Sequence, residues 1–185
     1  MLFSFGLFKK VIIADTFAIW VKNGFDTSTT LDLIGGWTSS LAYTFQLYFD
    51  FSGYCDMAIG AALLFNIRLP INFNSPYKSL DIRDFWRRWH ITLGRFLRDY
   101  IYIPLGGSKA SSSKFGGLAR TCVNLFITFL IGGIWHGAGW GFVIWGVLHG
   151  IALVIGNEGN GVTEAFKEWC RPLLGEEVRK MISFN

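Results

Sequence analysis

Two stretches of this chain, residues 118–135 and 139–156, contain a single Lys, Arg, Asp or Glu between them, Arg120. No other feature restricts the fold as much, because runs this long and this apolar have to be buried on most sides. Each approaches the roughly 20 apolar residues that a helix needs to cross a bilayer. Gly137–Ala138–Gly139 is placed as the turn between them. The expected fold is therefore all-α, a polytopic transmembrane helical bundle sitting multi-pass in the cell's inner or plasma membrane. Charge content agrees, at 16% of the 185 residues where soluble domains carry about a quarter. Eighteen Phe and eight Trp add weight, since large aromatics favour apolar cores and the membrane–water boundary.

The rest of the chain is less uniform. Phe3–Val21 reads as a helix interrupted by Lys9 and Lys10, with Lys22–Leu33 a polar loop. Ile34–Phe51 and Tyr54–Ile67 read as helices separated by a break at Ser52–Gly53. Arg68–Arg98 mixes arginines with Phe and Trp, the composition of an interfacial segment on the cytoplasmic side. Tyr100–Leu105 is a brief apolar stretch, and Asp99–Leu105, with basic residues on both sides, is too short to cross, which implies a re-entrant or interfacial helix. Residues 1–156 are taken as the core and 157–185 as an amphipathic polar tail. No charged n-region or cleavage site marks a signal peptide.

Several functions are disfavoured at this level. A net charge of +4 is too small to argue for a nucleic-acid partner. Cys55, Cys122 and Cys170 lie far apart, with no CxxC or Cys/His ligand spacing, so neither a disulfide framework nor a metal site is expected. No GxSxG elbow, GxxxxGK[ST] loop or HExxH helix is present.

The three histidines carry the chemistry that remains. His90 lies in Trp86–His90, His136 in Gly132–Gly137 and His149 in Trp145–Gly150. Imidazole exchanges a proton near neutral pH without strong tuning. The bland alternative is a neutral ring bonded to a carbonyl of a neighbouring helix. His136 stands out because glycines at 132, 133, 137, 139 and 141 remove side chains around it, letting a helix or a substrate approach. The arginines beside His90 suit coenzyme phosphates or lipid headgroups. His149 is placed as a secondary polar contact.

The run Asp84–Gly107, DFWRRWHITLGRFLRDYIYIPLGG, resembles the signature of membrane-bound O-acyltransferases, in particular the branch containing the alginate O-acetyltransferase membrane component. Gly6–Asp15, Tyr48–Pro76 and Gly132–Gly150 fit the same family in the same order. The resemblance implies transfer of an acyl group, acetyl in that branch, from a thioester donor (acetyl-coenzyme A or an acyl carrier) to hydroxyls of an exported or cell-surface polysaccharide. It implies His136 as the main catalytic residue, acting as general base, with His90 lining the same tunnel. Arg87, Arg88 and Trp89 would shape the donor path, together with Trp135 and Asp56. The donor is a co-substrate, so no bound cofactor is expected. Expected partners are membrane lipid, the polysaccharide and a periplasmic or membrane acetyltransferase. Family members are longer, so the chain reads as an N-terminally truncated fragment; the Ser-rich loop Ser108–Gly117, where the family is more basic, and Cys55, where Ser is usual, depart from the family pattern. A transport or export subunit whose histidines line a polar path, and a non-catalytic packing subunit, are the competing functions.

Overall fold

The computed structural model describes residues 1–107, 114–137 and 139–157, and among these every regular element is helical. The amphipathic tail expected beyond Asn157, Cys170, and the Ser-rich residues 108–113 lie outside the described residues. The chain divides into two compact units, Met1–Asn74 with Trp89–Thr92, and Ser75–Arg88 with the chain from Leu93 on.

The first unit begins with α1 (Leu2–Leu7) and α2 (Asp15–Lys22), joined by a π-helical segment, Phe8–Ala14. A second π-helical segment, Asn23–Thr27, extends the run, and the junction residues Phe8, Asp15 and Asn23 keep right-handed helical angles. A π turn adds a residue to the helical repeat and re-aims the side chains next to it. Lys9 and Lys10, adjacent in sequence, both reach the long helix α3 (Leu33–Leu64): Lys9 pairs with Asp56 at 2.7 Å and Lys10 with Asp50.

Asp32 caps α3 by accepting from the Gly35 N–H at 2.7 Å, satisfying a donor that the first helical turn leaves open. The far end closes on Asn66 at φ +58. There the Ile67 N–H bonds back to Ala62 and the Asn66 N–H to Leu63, both through backbone carbonyls. This is the left-handed stop that Asn tolerates better than most side-chain-bearing residues.

The expected break at Ser52–Gly53 does not occur, and α3 runs through it. Gly53 has a different purpose. A Cβ there would sit 2.7 Å from the Gly6 carbonyl, and one on Gly6 would sit 2.6 Å from the Gly53 carbonyl. The two helices touch at backbone, which only residues without side chains permit.

The second unit holds a 3₁₀ turn (Pro76–Lys78), α4 (Ile82–Arg88), the body of α5 (Ile91–Leu97), a π-helical segment (Arg98–Tyr102), α6 (Lys114–His136) and α7 (Trp140–Asn157). Asp81 caps α4, accepting from the Arg83 and Asp84 N–H groups at 2.8 Å each. The α6–α7 hairpin crosses on glycine: a Cβ on Gly146 would lie 2.7 Å from the Phe129 carbonyl, and Gly133 is equally crowded by Phe142 and Gly146. Buried Asn124 on α6 donates to the carbonyls of Leu105 (3.2 Å) and Gly107 (3.1 Å). Those bonds tie down the turn where a re-entrant segment was expected.

The all-α expectation stands, but the polytopic transmembrane bundle is overturned. Among the described residues, no helix is long and apolar enough to cross a membrane. α7, at 18 residues, extends only about 27 Å, short of the roughly 30 Å hydrocarbon layer. α3 is long enough at 32 residues but carries Gln46, Asp50 and Asp56 along its length. α6 opens on Lys114 and Arg120, leaving a shorter apolar remainder. The same finding overturns the multi-pass placement in the inner or plasma membrane and, with it, the re-entrant role of Asp99–Leu105. That segment continues from α5 as a π-helical turn.

Candidate active site

His136 is the last residue of α6. Its ring is exposed but sits in an aromatic cradle: Trp135 at 5.0 Å between centroids, Phe142 stacked at 6.0 Å and Trp145 edge-on at 5.1 Å. The closeness of the two helices in sequence makes this possible, because α7 starts at Trp140 and brings Phe142 and Trp145 back to the end of α6. Partial burial lowers the His136 pKa below the ordinary histidine value. Desolvation disfavours imidazolium, so the ring is neutral at neutral pH and can accept a proton.

His149 lies deeper in the same cluster. Trp145 is 4.6 Å from it and Trp86, from α4, is 5.2 Å away at 84°. Burial lowers its pKa also. Ideal helical spacing would put His149 about 220° around from His136, but α6 ends at His136 and α7 begins at Trp140, so no single helix sets that angle and Trp145 contacts both rings.

His90 belongs to the other unit and is held by different means. It has φ +43, left-handed backbone that side-chain-bearing residues rarely adopt. Asn72 supports it. The Asn72 side-chain oxygen accepts from Thr92 Oγ1 (2.6 Å) and the Thr92 N–H (3.1 Å), and its backbone carbonyl accepts from the Ile91 N–H (3.0 Å). An oxygen so used can only accept, so His90 Nδ1 donates to it at 3.2 Å. That places a proton on Nδ1, directed at Asn72. Phe51 packs against the ring at 4.8 Å.

The other expected site residues divide between the units. Trp89 is buried against Phe73 at 5.0 Å, and Asp56 is committed to Lys9. On α4, Arg88 pairs with Asp84 one helical turn earlier at 2.9 Å while Arg87 is exposed, and Trp135 is exposed beside His136. Sequence reasoning missed Asn72, Thr92, Phe142, Trp145 and Trp86. Trp145 had a readable signal, since it lies four residues before His149 on one helical face. Asn72 and Trp86 had none, because their partners are distant in sequence.

These features are those of a helical protein that presents neutral imidazoles in aromatic surroundings, a class suited to proton transfer from a hydroxyl. The chain belongs to the membrane-bound O-acyltransferase family, whose model matches residues 1–174. It is 60% identical over 165 residues to the peptidoglycan O-acetyltransferase of Helicobacter pylori, covering 89% of this chain and 30% of that protein. It is 52% identical over 155 residues to the probable alginate O-acetylase AlgI of Pseudomonas syringae pv. tomato, covering 83% and 28%. A teichoic acid D-alanyltransferase of Streptococcus thermophilus shares 38% identity over 114 residues, covering 61% and 28%. The chain thus spans less than a third of the length of these relatives. Family membership matches the expectation, whereas the narrower alginate branch is not favoured over the peptidoglycan acetyltransferase branch.

Proposed function

We propose that this chain carries the proton-transfer centre of an acyltransferase that moves an acetyl group from a thioester to a hydroxyl of a cell-envelope polysaccharide. The observation that carries the reading is the neutral, accessible His136 ring in its aromatic cradle. In the proposed step His136 accepts the proton of the acceptor hydroxyl while that oxygen forms a bond to the thioester carbonyl carbon. The carbonyl π pair moves onto oxygen and then returns. The C–S bond breaks, and the departing thiolate takes the proton from His136, leaving an ester and a free thiol.

The exposed guanidinium of Arg87 supplies a charge suited to the phosphates of a coenzyme or carrier donor, with Arg88 and Trp135 proposed as further parts of the donor path. His90 is proposed as a further imidazole of the acyltransferase, held in its own unit by Asn72. Peptidoglycan is the first acceptor to assay and alginate the second, following the named activities of the relatives. A partner acetyltransferase that completes delivery to the glycan belongs to the same proposal.

The test is His136→Gln in the full-length chain, with polysaccharide O-acetylation measured by ester release. Transfer falls at least about 100-fold, the usual scale for loss of a general base. Normal acetylation in the variant removes the catalytic assignment and favours a subunit whose histidines only line a polar path.

A further inference from the structure

Trp86 Nε1 and His149 Nδ1 are both buried and have no hydrogen-bond partner among the described residues. Buried polar atoms without partners are uncommon, and each one calls for an explanation. These two are not scattered. Their rings meet edge to face with centroids 5.2 Å apart, and both touch Trp145, at 5.7 Å for Trp86 and 4.6 Å for His149. Trp145 is also the ring against which His136 packs. The orphaned pair and the proposed base therefore share one wall.

The chemistry of the pair restricts what it receives. Indole nitrogen is a donor only. Burial keeps His149 neutral, so in its Nδ1–H tautomer it adds a second donor without adding charge. Phe129, 4.8 Å from Trp86, adds a further hydrocarbon ring beside the indole. Two neutral donors in an apolar wall suit an oxygen that has two lone pairs and gains negative charge during reaction. A phosphate is better matched by charged donors, and neither member of this pair carries a charge. An aliphatic chain would leave both donors unsatisfied.

We propose that Trp86 Nε1 and His149 Nδ1 receive the carbonyl oxygen of the bound acyl group, next to the His136 site. The assignment rests on the acyl-transfer reading above and adds to it the two groups that hold the oxygen as the carbonyl π pair moves onto it. Both donors remain protonated throughout, so the proton balance of the transfer is unchanged.

The experiment is isotope-edited infrared spectroscopy of [1-¹³C]acetyl-coenzyme A bound to the full-length chain without acceptor, combined with transfer kinetics. Trp86→Phe keeps a ring against Phe129 and Trp145 but removes the N–H. The thioester carbonyl band lies below its free-solution frequency in the wild type and moves back towards it in Trp86→Phe and in His149→Phe. In Trp86→Phe, kcat for transfer falls about 100-fold, as for loss of one oxyanion donor, with little change in KM. A carbonyl band at the free frequency in the wild type, or at the same frequency in wild type and Trp86→Phe, overturns the proposal. It would mean that the pair holds a water or serves packing alone. If Trp86→Phe keeps full kcat while His136→Gln loses transfer, the carbonyl site falls and the acyl-transfer reading stands. If the wild type transfers no acetyl group, both fall.

Discussion

At the scale of single residues, the chemistry depends on what surrounds each imidazole. His136 and His149 both have pKa values lowered by burial. The sign follows directly. A ring that resists protonation stays a base to lower pH, so the acid limb of kcat/KM for acetyl transfer has its midpoint below about 6.5, the ordinary histidine value. The same groups make stability fall with acid: the unfolded chain takes up protons first, from about pH 6.5 downward, and the folded chain loses stability until its own lowered pKa is passed. A pH–rate profile with its acid midpoint above 6.5 would show that His136 is stabilised as a cation instead. Cys55 follows the same principle. Burial pushes its thiol pKa up, more than a hydrogen bond from Asn72 lowers it, so it is a poor nucleophile. The identities of the histidines were legible in the sequence, but their environments were not. Asn72 is 18 residues from His90, and no local pattern announces that one amide places the proton of a distant ring.

At the scale of elements, glycine decides how the helices meet. Glycines around His136 were read as space for a helix or a substrate, and at Gly133 the occupant is the backbone of α7 at Phe142 and Gly146. The substitution Gly146→Val should force α6 and α7 apart and destabilise the chain by about 1–3 kcal/mol, as overpacking does. Gly36 on α3 faces open space, so Gly36→Ala should instead stabilise by about 0.5–1 kcal/mol through helix propensity. Urea-unfolding midpoints of the two variants, moving in opposite directions, check the assignment. If both variants raise the midpoint, the close crossing is absent. Helix positions were readable from apolar runs: α6, α7 and most of α3 lie where those runs put them. The supposed break at Ser52–Gly53 was misread because a glycine that admits a neighbouring backbone looks, in one dimension, like one that ends a helix.

At the scale of the whole molecule, both units expose large apolar side chains. Leu33, Leu64 and Phe65 in the first are 79%, 84% and 77% exposed, and Leu80 and Trp140 in the second are 98% and 81% exposed. Exposed apolar surface on this scale drives association. The isolated chain is therefore expected to self-associate in plain buffer and to revert to monomer when a mild detergent covers that surface, as read by sedimentation velocity. A stable monomer in buffer alone would contradict this. Residue type and order by themselves determined that the chain is helical, that it belongs with the O-acyltransferases, and which three imidazoles are available, because these depend on local periodicity and on motifs contiguous in the chain. The tertiary structure decided the rest. It showed that, among the described residues, no helix is long and apolar enough to cross a bilayer. It also placed Trp86, Trp145 and His149 in one cluster beside His136, a juxtaposition that arises only when α4, α6 and α7 pack through space.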